Sequence, residues 1–206
     1  MIMRDAWKLM VGRLPKSEIR EDDGVTGIFG HVPLAFMNVA MLNRPMADTS
    51  DLRQALALAG KQASGCAHPS LTILVEDLVP TDWASVAAEA GLTPAMTLRE
   101  METDELLPPR RPAPEIELRQ VTDEATARDL AMINADAYGM PRELFECISN
   151  MHLWHDDSYG FVGYVDGRPV SSAAALPLED SVYVALVATA PDMHGRGYAE
   201  TVMRRA

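Results

Sequence analysis

Residues 106–114 read LLPPRRPAP, four prolines in nine positions. Proline has no N–H to donate and its ring fixes φ, so neither a helix nor a central strand can run through this stretch. The chain divides there into residues 1–105 and 115–206, with 106–114 as a linker. Apolar residues at 48% and charged ones at 23% supply enough core for both parts without a metal or a disulfide. Cys66 and Cys147 sit in no CxxC or Cys/His cluster and are expected as buried thiols in a reducing compartment. The five histidines show no metal-ligand spacing, and no metal is expected.

The formal net charge of −12 sets up a field that repels phosphate polymers and anionic lipid. Nucleic-acid and membrane partners are therefore not expected. A small polyanion can still bind, through backbone N–H groups and a few local cations. The N-terminus has no apolar core of a signal peptide, and no stretch approaches 18 continuous apolar residues. The expected location is cytoplasmic.

In the first half, apolar spacing predicts a helix over 2–12 with Trp7, Met10 and Val11 on one face, then a charged loop, SEIREDDG. Strands are expected at Val25–Val32 and Leu34–Leu42, separated by Pro33. Thr49 or Ser50 caps a helix from Asp51 to about Ser64. A strand Leu71–Leu78, a helix Asp82–Ala90 capped by Thr81, and an alternating strand Ala95–Glu102 follow.

After the linker, Glu115–Val121 alternates as a strand. Thr122 caps a helix over 123–138 that Gly139 ends, and Pro141 opens a second helix to about Met151. Phe161–Val165 and Pro169–Leu176 flank Asp166-Gly167, a pair suited to the positive φ angles of a tight hairpin. Residues 3–64 and 142–206 both order a helix, two strands and a helix, which suggests a duplication with a degenerate first copy.

The last 26 residues, SVYVALVATAPDMHGRGYAETVMRRA, carry the chemistry. Val182–Ala188 is a strand, Pro191, Gly195 and Gly197 make a turn, and Tyr198–Ala206 begins a helix. A strand entering a helix N-terminus through glycines directs unpaired N–H groups and a positive dipole end at an anion. GxGxA alone is a weak signal, since glycine also opens helices for steric reasons. Glu200 stands where a Rossmann fingerprint needs its third glycine, and no GK[ST] is present for a P-loop.

With the hairpin and the glycine turn together, residues 115–206 resemble the GNAT superfamily of N-acetyltransferases. The family pattern Arg/Gln-x-x-Gly-x-Gly/Ala meets His194-Gly195-Arg196-Gly197-Tyr198-Ala199, with His194 departing from the usual first residue. The resemblance implies an α/β (α+β) fold with a mixed, mostly antiparallel central sheet flanked by helices, in two related halves. It implies acetyl-CoA as co-substrate, its pyrophosphate held by His194, Gly195, Arg196, Gly197, Tyr198, Ala199 and Glu200, and its pantetheine arm along Val187, Ala188 and Thr189.

The implied reaction is acetyl transfer to the amine of a small molecule or a peptide N-terminus. Ala188 N–H would polarise the thioester, and Glu179 leads the candidate bases, ahead of Asp180, Asp136 and Tyr138. The family's fifth strand and the tyrosine that reprotonates the CoA thiolate have no counterpart after Ala206. The C-terminal domain is thus expected to be incomplete, with its sheet edge covered by a partner subunit, as in a homodimer. The alternative is a non-catalytic module that binds CoA or a protein.

Overall fold

The computed structural model describes residues 2–109, 111–154 and 158–206. Arg110 of the linker lies outside them. Residues 15–102 form one compact unit, and residues 2–14 pack with 103–206 in the other. The first helix, α1 (Ile2–Val11), is therefore remote in sequence from the sheet it contacts. Ala6, Met10 and Val11 are buried, and Trp7 meets the Tyr183 ring edge-on at 5.6 Å between centroids.

In residues 15–102, strands β1 (Glu18–Asp22), β2 (Val25–Phe29) and β3 (Asn38–Leu42) form an antiparallel meander. Helix α2 (Thr49–Ala63) then crosses over to β4 (Leu71–Ile73), which pairs parallel with β3. Leu52, Ala55, Leu56 and Ala59 of α2, with Val86 and Ala87 of α3 (Trp83–Glu89), close a core over Val25, Ala40 and Leu42.

Several expectations are corrected here. SEIREDDG is not a loop: it contains β1, joined to β2 by Asp23 and Gly24, the latter at φ +90°. Charged side chains are what an edge strand carries to resist pairing with other chains. Ala35–Met37 turn as a 3-10 segment after Pro33, so β3 starts only at Asn38. Residues 95–102 form no strand; they are exposed and pair with nothing in the sheet. The α2 cap is Asp48, whose carboxylate accepts from the N–H groups of Ser50 and Asp51, rather than Thr49 or Ser50.

In the other unit, β5 (Glu117–Gln120), β6 (Tyr159–Val165), β7 (Arg168–Pro177) and β8 (Val182–Thr189) make an antiparallel sheet in that order. The Asp166-Gly167 turn has both residues at positive φ, as the hairpin signal requires. Between β5 and β6 lies α4 (Glu124–Tyr138), capped by Asp123 rather than Thr122 and ended by Gly139 in the left-handed region. The helix expected to about Met151 is short: α5 spans Arg142–Phe145, and 3-10 turns continue it. Side chains alternate across β7, so Ser172 reaches α4 while Ala173 packs with Val202 of α6 (Tyr198–Arg205). The sheet is therefore a middle layer with α4 on one face and α6 on the other. The cysteines are half-buried thiols rather than fully buried ones.

Candidate functional site

Strand β8 ends the sheet, with β7 on one side and, among the described residues, no strand on the other. It is not regular. Ala185 faces Ala174 and Ala188 faces Ser172, so Leu186 and Val187 both oppose the single residue Ala173. That is a β-bulge. Leu186 takes φ +52°, a backbone state that costs a residue with a Cβ about 1–2 kcal/mol. Two buried side chains hold it. Ser172 Oγ donates to the Leu186 carbonyl at 3.0 Å, and Asn134 Nδ2, on α4, does so at 3.4 Å. Asn134 is fully buried and also donates to Ser172 Oγ at 3.0 Å and Leu130 O at 2.9 Å, while its Oδ1 has no partner among the described residues. Across a trans peptide the N–H points opposite to the C=O. With the Leu186 carbonyl turned toward α4, Val187 N–H is turned away from it.

Beyond β8, Pro191–Met193 make one 3-10 turn, and His194 Nε2 lies 2.9 Å from Thr189 O. With Nε2 protonated, the imidazole donates to that carbonyl and ties the turn to the strand end. Gly195 and Gly197 sit at φ +77° and +88°, where a side chain is strained. A Cβ at Gly195 would meet nothing within 4 Å among the described residues, which leaves open space beside the backbone. Among the described residues the N-terminus of α6 carries no side-chain cap, unlike α2 and α4, whose first N–H groups are occupied by Asp48 and Asp123. The N–H groups of Tyr198, Ala199 and Glu200 are therefore left without an intrahelical partner.

One surface depression is lined by Val187, Ala188, Thr189, His194, Gly195, Arg196, Gly197, Tyr198, Ala199 and Glu200, with Met193 and Arg111. The structure thus brings together every residue that the sequence suggests for holding a cofactor. Arg168 pairs with Asp192 beneath the turn at 2.7 Å and keeps that carboxyl below its usual range. Arg196 Nη2 reaches Asp192 O at 3.4 Å.

The suggested proton-transfer groups lie elsewhere. Glu179 and Asp180 are exposed in the β7–β8 turn, at the far end of β8 from the depression. Asp136 is engaged by Arg142 at 2.9 and 2.7 Å, and that guanidinium holds its carboxyl low. Tyr138 stacks on Phe145 at 6.1 Å between centroids. Among the described residues no cluster of three or more His, Cys, Asp or Glu could hold a metal. No helix among them is long and apolar enough to cross a membrane.

Residues 126–206 match the model of the acetyltransferase (GNAT) family. This segment is a GNAT acetyltransferase domain. The whole chain is similar in fold to a GCN5-related N-acetyltransferase from Kribbella flavida, at 21% identity over 98% of this chain and 78% of that one, TM-score 0.65. Weaker likeness extends to a ribosomal-protein-alanine N-acetyltransferase from Brucella melitensis biovar Abortus 2308, at 16% identity over 44% and 68% of the two chains, TM-score 0.36. A PaiA N-acetyltransferase from Thermoplasma acidophilum, solved with coenzyme A, matches at 10% identity over 44% and 69%, TM-score 0.36. No curated protein matches the chain.

Asn134, Ser172, Met193 and Arg111 of the GNAT domain and its linker were not legible as site residues. Asn134 lies on the apolar stripe of α4, where an amide reads as a core polar residue. The signal for Arg111 was a basic pair among prolines in a strongly acidic chain.

Proposed function

We propose that this protein transfers an acetyl group from acetyl-CoA to an amine. The observation that carries the reading is the uncapped N-terminus of α6, entered through two left-handed glycines one 3-10 turn after the bulged edge strand β8. The donor set fits the co-substrate: backbone N–H groups of 198–200 suit the pyrophosphate, and the outer edge of Val187–Thr189 suits the amide groups of the pantetheine arm. Acetyl-CoA supplies an activated thioester, from which an acceptor amine displaces the CoA thiolate.

The residues of this chain orient and stabilise. Val187 N–H, aimed away from α4 by the Asn134 and Ser172 contacts, is the donor for the acetyl oxygen, in preference to Ala188 N–H. His194 fixes the turn to the strand end through Thr189 O. The acceptor is a small-molecule amine or a peptide N-terminus, and the net charge of −12 favours a cationic one. That same charge disfavours nucleic acid and anionic membrane as partners, and the cysteine usage suits the cytoplasm.

Calorimetric titration of the full chain with acetyl-CoA, followed by free-thiol release with polyamines, aminoglycosides and amino acids, tests this. Saturable binding with amine-dependent thiol release is expected. Binding without release across the panel would favour a non-catalytic CoA-binding module. No binding would overturn the acetyl-CoA reading.

A further inference from the structure

The proline-rich segment is more than a connector. Residues 107–109 and 111–114 lie beside α6 as a strap, pinned at two points. Arg204 Nη2 donates to Leu107 O at 2.6 Å, and Arg111 Nη1 donates to Gly195 O at 3.0 Å. Pro109, Pro112 and Pro114 line the cleft between strap and helix, opposite Gly197, Thr201 and Arg204. Prolines suit such a strap, because an extended segment that pairs with no strand has fewer N–H groups to satisfy.

Arg111 is where this strap meets the glycine turn. A Cβ built at Gly197 would stand 3.2 Å from Arg111 Nε, so the glycine makes room for the guanidinium as well as for the left-handed turn. Arg111 lines the same depression as the unpaired N–H groups of α6. A guanidinium has five N–H donors in a planar fork, and the Gly195 carbonyl takes one. Arg44, Arg53, Arg119, Arg142, Arg168 and Arg204 each pair with a carboxylate, whereas among the described residues Arg111 makes no ion pair. The nearest acid of the helix, Glu200, is engaged by Arg204 at 3.0 Å. In a chain of net charge −12, a cation left without a carboxylate beside an uncapped helix end is placed for an anion from outside.

The geometry points to Arg111 as a ligand of the CoA pyrophosphate, carried to the site by the linker; this rests on the acetyl-CoA reading above. The linker thereby becomes one wall of the cofactor site.

The test is calorimetric titration of the full chain and its Arg111→Gln and Arg111→Lys variants with CoA and with dephospho-CoA, which keeps the pyrophosphate but lacks the 3′-phosphate. Arg111→Gln is expected to weaken both ligands equally, by about tenfold, the worth of one charge-assisted contact. Arg111→Lys, which keeps the charge and loses the fork, should fall between wild type and Arg111→Gln. Wild-type binding with Arg111→Gln within about twofold of it overturns this inference alone. Loss confined to CoA, with dephospho-CoA unaffected, overturns the pyrophosphate assignment. Failure of wild type to bind CoA overturns the acetyl-CoA reading and this one with it.

Discussion

Asn134→Asp exchanges one amide nitrogen for oxygen at a fully buried position and leaves the shape unchanged. In the native protein that nitrogen faces two carbonyl oxygens, Leu130 O and Leu186 O, and Ser172 Oγ. An ionised carboxylate there would face like partial charges with no cation at hand, so the new carboxyl should be kept protonated in the folded state. An unfolded aspartate has a pKa near 3.9, and holding it neutral costs about 1.36 kcal/mol per pH unit above that value. The cost is then roughly 4 kcal/mol at pH 7 and roughly 1.5 at pH 5. Loss of the second N–H adds about 1 kcal/mol at either pH.

The sign is opposite to the usual carboxylate case. With the folded pKa raised above the unfolded one, the native state is favoured at low pH and loses stability as pH rises. The variant should thus be about 2.7 kcal/mol more stable at pH 5 than at pH 7, relative to wild type. Urea unfolding followed by tryptophan fluorescence in a Trp83→Phe background reads this, since Trp7 and Trp154 lie in the unit that holds Asn134 and Trp83 lies in the other. A variant equally stable at both pH values, or more stable at pH 7, would refute the argument that the Leu186 bulge rests on an inward-facing amide donor.

Gly160→Ala would place its Cβ 2.5 Å from Trp154 Cζ3 and 2.8 Å from Val121 Cγ2. Trp154 is held by its Nε1–H on Ile148 O, so overpacking should cost about 1–3 kcal/mol in urea unfolding, and an unchanged midpoint would contradict the packing described. Asp51 is held down to about 2, first by Arg44 and then by Ala47 N–H. Its stabilisation is present above the unfolded pKa near 3.9 and is lost as pH falls toward 2, so Asp51→Asn should flatten the acid limb of residues 15–102, read by Trp83 fluorescence. Glu179→Gln should keep turnover within about twofold of wild type, because from Val182 to Val187 alone an extended strand spans roughly 16 Å. A large fall in kcat would instead bring Glu179 into the proton path.

The legibility of this chain in its sequence follows local physics. The Asp-Gly hairpin, the Gly139 stop and the glycine turn at 195–197 all encode their φ angles in residue type, and each occurs where expected. Strand β1 was hidden by its charges, because an exposed edge strand and a polar loop share a composition. The alternation in 95–102 misled for the converse reason: a period of two forms a strand only where another strand supplies hydrogen bonds. The site divides in the same way. Its turn was readable, but the positive φ of Leu186 was not, because tertiary contacts from Asn134 and Ser172 hold a leucine where local preference would not. Arg111 was invisible as a site residue because nothing local brings a linker onto a glycine turn 84 residues away in sequence.

The docking of α1 has a consequence for how the chain assembles. A ten-residue helix is too short to persist alone in water, and its partners on β7 and β8 are made much later than it is. At about 5–20 residues per second, roughly 170 residues and 10–35 s separate the emergence of α1 from that of β8. Residues 15–102 can fold in that interval, while the helix that precedes them waits with its apolar face uncovered. The helix thus finds its place only after the segment that follows it, and cutting the chain at the linker would separate α1 from the sheet against which it packs.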